Sequence, residues 1–170
     1  QVKAAIRLAH KRYAEEGLTF VQEAGCPGAH PEEIGIWQDL LAEGELTCRT
    51  CLMIYGGGRL ARPLGDPPAL ALGMRGQFGG PESMVYAGPM KLMADGSLIG
   101  RTAVLREPYA GQEPVSAGEQ IGLWVTQPGE LHRLCADGHA YGWQLATHAI
   151  GDRAIEVTLG LFFAAAIAGL

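Results

Sequence analysis

The chain has 170 residues, 48% apolar and 18% charged, which is enough to bury one sizeable core in one domain spanning 1–170. Its formal net charge of −5 and the lack of any basic run argue against nucleic acid as a partner. Four cysteines, Cys26, Cys48, Cys51 and Cys135, are too few and too scattered for a disulfide scaffold and read as reduced thiols, which predicts a cytoplasmic protein.

The first stretch, "QVKAAIRLAHKRYAEEGL", has no signal-peptide core and no initiator Met, so the chain is expected to start inside a longer gene product. Val2, Ala5, Ile6, Ala9 and Tyr13 fall at helical spacing and predict a helix over 2–16, ended by Gly17. "LTFVQEAG" reads as a short buried strand. "PEEIGIWQDLLAEGEL" reads as a helix, with Pro31 and two acids in its first turn, Ile34, Trp37, Leu40 and Leu41 on its apolar face, and Gly44 as its cap. "LTCRTCLMI" is the next strand.

Residues 55–83 are rich in Gly and Pro and read as loop, with a short helix at "PALALGMRG". The third strand is expected from Val85 to Met93, followed by a long irregular loop over 95–126, a length that tends to be functional. "QPGELHRLCADGHAYG" is a helix ending at Gly138 or slightly later, "WQLATHA" the fourth strand, and "DRAIEVTLGLFFAAAIAG" the last helix. The apolar end "LGLFFAAAIAGL" has only 12 residues, against the roughly 20 of a membrane span, so no membrane partner is expected; it reads as a helix whose packing partner is missing.

Helices alternating with strands imply parallel βα units, and near-continuous apolar strands fit a sheet buried on both faces. Either an open doubly wound sheet or part of a (β/α)8 barrel satisfies this pattern, and both place a site at the carboxyl ends of the strands. Two strand ends stand out. Lys91 lies inside the apolar stretch of "MKLMADGS", where an ammonium is costly unless paired or chemically changed, or unless it snorkels from an edge. His148 closes "QLATHA", and strand alternation puts it on one face with Gln144 and Ala146, where it is either a hydrogen-bonded structural histidine or a metal ligand. Asp95 and Asp152 are either acid–base groups or caps of a turn and a helix. "CRTC" has no second pair to complete four zinc ligands and does not open a helix as a redox pair does; "YGGGRL" lacks phosphate-loop spacing and reads as a loop.

Taken as a pair, "KLMADGSLIGRTAVLREPYA" and "THAIGDRA" resemble motifs of the amidohydrolase superfamily, in the branch called amidohydrolase family 3, which includes N-substituted formamide deformylase-like enzymes. "YAEEGLTFVQEAG" is similar to that family's second barrel strand, and "LLAEGELTCRTCLMI" to the helix and third strand, so the likeness spans nearly the whole chain. The resemblance implies a partial (β/α)8 TIM-type barrel, a parallel sheet of about strands two to five with flanking helices. It implies a divalent metal, usually zinc, one or two in the complete enzyme, with Lys91 and His148 as ligands and Lys91 open to carboxylation. It implies hydrolysis of C–N bonds in small amide-like substrates by metal-activated water; Asp95, Ser97 and Arg101, in the loop after the Lys91 strand, are expected to contact the substrate or to support the metal ligands.

The chain has no His-x-His pair, and His10, His30, His132 and His139 match none of the family's other metal positions. Two ligands do not define a closed catalytic site, so this segment alone is expected to be inactive. The alternative is a non-catalytic open α/β module, relict or small-ligand-binding, with a pocket near 56–58. Exposed sheet edges would favour self-association.

Overall fold

The computed structural model describes residues 1–26, 32–56, 78–111 and 121–168. The elements are α1 (Val2–Glu15), β1 (Phe20–Cys26), α2 (Glu33–Ala42), β2 (Arg49–Tyr55), β3 (Val85–Met93), α3 (Pro128–Ala140), β4 (Leu145–His148) and α4 (Asp152–Ala168). The four strands pair in the order β1-β2-β3-β4, all parallel, and form a curled half-barrel with flanking helices. The helix expected at "PALALGMRG" and most of "YGGGRL" lie outside the described residues, as does His30.

Strand alternation sorts the sheet into two unlike faces. Leu52, Ile54, Met90 and Leu92 are buried to within 1% and join Trp37, Leu40, Leu131, Leu134 and Cys135 of the helices in one core. A Cβ on Gly138 would lie 2.3 Å from Met90 Cε and 2.9 Å from Leu145 Cδ2, which places α3 directly on this face. Tyr55, Lys91, Met93, Ala146 and His148 occupy the opposite face and are only half-buried. The apolar strands predict burial on both faces; among the described residues only one face is covered.

Several boundaries shift for identifiable reasons. The helix α3 runs through Gly138 to Ala140, because that glycine provides close approach to Met90 rather than a stop. Its end is set by Gly142 at φ +74, the left-handed position that glycine tolerates. There the Gly142 N–H donates to His139 O at 2.8 Å and the Trp143 N–H to Gly138 O at 2.9 Å, so Trp143 belongs to the helix end and β4 starts only at Leu145. The same two-bond closure ends α1 and α2. Strand β2 starts at Arg49 rather than Leu46, because Thr47 is engaged by α1: its hydroxyl donates to His10 O at 2.7 Å and its N–H to His10 Nδ1 at 3.3 Å.

The 95–126 stretch is not loose where it is described. The N–H groups of Leu105, Leu123 and Val125 donate to the carbonyls of Ile121, Thr102 and Ala94 at 2.7, 3.1 and 2.9 Å. These bonds fold the segment back onto the end of β3.

Candidate metal-site face and its scaffold

In the β3–β4 register Lys91 stands opposite Ala146, and Met93 opposite His148. Lys91 and His148 therefore share one face of adjacent strands, two residues apart along the sheet. Both lie toward the carboxyl ends, where a parallel α/β sheet builds its site. Burial pushes the Lys91 ammonium below its ordinary pKa. The His148 side chain is 27% exposed, and its Nε2 lies 2.8 Å from the Gly96 carbonyl oxygen. A carbonyl only accepts, so Nε2 carries the proton and Nδ1 keeps the lone pair.

Asp95 holds this arrangement together. It is fully buried. Its Oδ2 accepts the N–H groups of Val104 and Gly151 at 2.8 and 2.9 Å, and its Oδ1 accepts the Ile150 N–H at 2.9 Å. One carboxylate thus ties the turn after β3 to the turn after β4, and with it fixes the Gly96 carbonyl against His148. Both of its oxygens are occupied by backbone donors, which fits the expected support of the ligands rather than contact with substrate. Oδ1 is also 3.9 Å from His148 Nε2.

Gly151 follows from the same geometry. A Cβ there would fall 1.9 Å from the Val104 carbonyl oxygen, so a close backbone approach demands the glycine. Asp152 is the first residue of α4, and its Oδ1 accepts the Arg106 N–H at 3.0 Å, adding a second tie between the two turns.

Ser97 and Arg101 lie on the exposed turn beyond Gly96. Ser97 Oγ accepts the Gly100 N–H at 3.1 Å, while the Ser97 N–H donates to Thr102 Oγ1 at 2.9 Å. Arg101 has φ +53, a left-handed conformation unusual for arginine, and the turn holds its backbone there through a 3.0 Å bond from its N–H to Leu98 O. The structure thus brings Lys91 and His148 together, uses Asp95 as their scaffold, and leaves Ser97 and Arg101 at the rim.

Tyr55 is the residue on this face that sequence patterning misses. It is the register partner of Lys91, and its buried hydroxyl has no hydrogen-bond partner among the described residues. Burial raises its pKa. Its only signal in sequence is its place as the last residue of an apolar strand before three glycines.

Among the described residues no group of three or more His, Cys, Asp or Glu is placed to hold a metal ion. Two features of this face bear on whether Lys91 and His148 could contribute to a donor set: the His148 Nδ1 lone pair is not used by the Gly96 bond, and the Tyr55 hydroxyl beside Lys91 has no partner among the described residues. All four cysteines are buried free thiols, and desolvation raises Cys135 to about 11, which makes it a poor ligand or nucleophile.

The model of the amidohydrolase family matches residues 1–169. The chain is 44% identical over 75 residues to the amidohydrolase YtcJ of Bacillus subtilis, a match covering 44% of this chain and 13% of YtcJ. It is 32% identical over 84 residues to the protein LONG AFTER FAR-RED 3 of Arabidopsis thaliana, covering 49% of this chain and 14% of that one. Among solved structures, a metal-dependent hydrolase from Pyrococcus furiosus superposes with a TM-score of 0.71 at 25% identity, covering 96% of this chain and 31% of that one. One from Pyrococcus horikoshii superposes with a TM-score of 0.68 at 24% identity, covering 94% and 29%. The chain therefore spans less than a third of each of these proteins.

Proposed function

Because the chain belongs to the amidohydrolase family, we propose that it is the central part of a metal-dependent hydrolase cleaving C–N bonds of small amide-like substrates, in the N-substituted formamide deformylase-like branch. Lys91 and His148 would hold a divalent metal, zinc by preference. The observation that carries this reading is their shared face at the strand ends, with His148 pinned so that Nδ1 is the nitrogen left to ligate. When bound, such a metal polarises the scissile carbonyl and lowers the pKa of a bound water.

The chain's own residues prepare that site. Gly96 and Asp95 fix the His148 tautomer and ring plane. Lys91 stands in apolar surroundings that disfavour its ammonium, and a carboxylated side chain there would find the Tyr55 hydroxyl as a donor. Ser97 and Arg101, on a turn fastened to the same scaffold, would contact substrate. No described helix is long and apolar enough to cross a membrane, and a cytoplasmic setting suits the reduced thiols.

The test is amine release from a panel of N-formyl and N-acyl amides by the protein that carries this segment at its natural length. The expected result is metal-dependent turnover that Lys91→Ala and His148→Ala each abolish without unfolding the protein. Full turnover in either variant would refute the assignment.

A further inference from the structure

A cavity of about 80 Å³ lies on the other side of the sheet from Lys91 and His148, between α1, α2 and the starts of β1 and β2. Thr50 at its floor has the parity of Leu52 and Ile54, which face the helices. Three rings meet here. The His10 imidazole lies 5.8 Å from the Tyr13 ring at 58° and 5.8 Å from the Trp37 ring at 61°. His10 is almost wholly buried, and its Nδ1 accepts the Thr47 N–H at 3.3 Å, so that nitrogen carries no proton. Its Nε2 faces Thr50 Oγ1 at 3.3 Å. The imidazole is thus a neutral ring, and burial holds its pKa down.

The one charged group among the residues lining the cavity is Glu23, an exposed residue of β1 on the same face of the sheet as Thr50 and Leu52. No cation pairs with it among the described residues, and its carboxyl is raised by burial and by Glu33. Aromatic faces beside an unmatched carboxylate attract an organic cation and repel an anion. The volume limits the size of the occupant: a cavity of about 150 Å³ takes a benzene, so this one, at about half that volume, suits a head group of about three or four heavy atoms.

We propose that this cavity is a binding site for a small alkylammonium ion, seated against Tyr13 and Trp37 with Glu23 as its counter-ion. The site shares no residue with the metal-site face and does not depend on any hydrolytic activity.

The purified chain, titrated with trimethylammonium chloride, tests this by calorimetry and by the NMR signal of the Trp37 indole N–H. Saturable binding in the millimolar range is expected, a few kcal/mol for a site of this size. Glu23→Gln, a change on an exposed strand position, should weaken it about fivefold or more while leaving thermal unfolding unchanged. The neutral isostere tert-butanol should bind at least about tenfold more weakly. No saturation, equal binding of tert-butanol, or full binding by Glu23→Gln would each overturn the proposal. A parallel titration with Nα-acetyl-lysine methylamide separates the sources. Tighter binding of the free ion assigns a small amine, and tighter binding of the lysine assigns a protein side chain; either upholds an ammonium site.

Discussion

Replacing Asp95 with Asn keeps the size of the side chain and removes its charge. The carboxylate accepts three backbone N–H bonds, two at Oδ2 and one at Oδ1, with no exposure to water. An amide has one accepting oxygen. In its better orientation that oxygen serves Val104 and Gly151, and the NH2 group then points at the Ile150 N–H, donor against donor. One charge-assisted bond is lost outright, at about 1.5–3 kcal/mol, and the two that remain become neutral bonds worth roughly half as much. The sum is about 3–6 kcal/mol, a large fraction of the stability of a domain this size. Urea denaturation of the Asp95→Asn chain against the parent, followed by far-UV circular dichroism, measures it. A loss below about 1 kcal/mol would refute the clasp, because it would mean that water or other groups satisfy those amides.

Three further outcomes follow from the same structure. Gly151→Ala forces a Cβ to within 1.9 Å of the Val104 carbonyl, so a backbone must move; about 2–3 kcal/mol of destabilisation is expected in the same urea assay, and a neutral effect would contradict the close approach. Gly142→Ala places a side chain at φ +74, a left-handed backbone conformation, so a conformational penalty of about 1 kcal/mol is expected, read as a small drop in Tm. His10, held below its ordinary value of 6.5 by burial, is neutral in both folded and unfolded chains well above that pH, where its contribution is complete. As pH falls through 6.5 the unfolded chain takes up the proton first, so stability should drop from there downward. His10→Asn, whose carbonyl can replace Nδ1 toward the Thr47 N–H, should flatten that slope between pH 7 and 5, and an unchanged slope would assign it to other groups.

The strand carrying Lys91 was legible to the residue, Val85–Met93, because its apolar run is bounded by Ser83 and by Asp95-Gly96. Parity alone put His148 on a face with Ala146, and pairing with β3 added Lys91 to that face. The Asp95 clasp was not legible. Its partners are backbone amides 9, 55 and 56 residues away, and any residue type supplies a backbone N–H. Gly138 and Gly142 show a related limit. Both look like stop signals, yet one is a packing contact inside a helix and the other its true end, and only the position of Met90 distinguishes them. Gly151 shows the same limit, because the approach of the Val104 carbonyl that demands a glycine there is a contact between residues far apart in the chain.

The assignment of Lys91 and His148 as metal ligands is tested most directly by titrating the chain with zinc while observing the His148 ring nitrogens by long-range proton–nitrogen NMR. With Nε2 bonded to Gly96, the Nδ1 resonance should shift and saturate while Nε2 keeps its proton, and Lys91→Ala should weaken the effect. A His148 ring unmoved by zinc, or a shift confined to His132 or His139, would contradict the metal-site reading of this face.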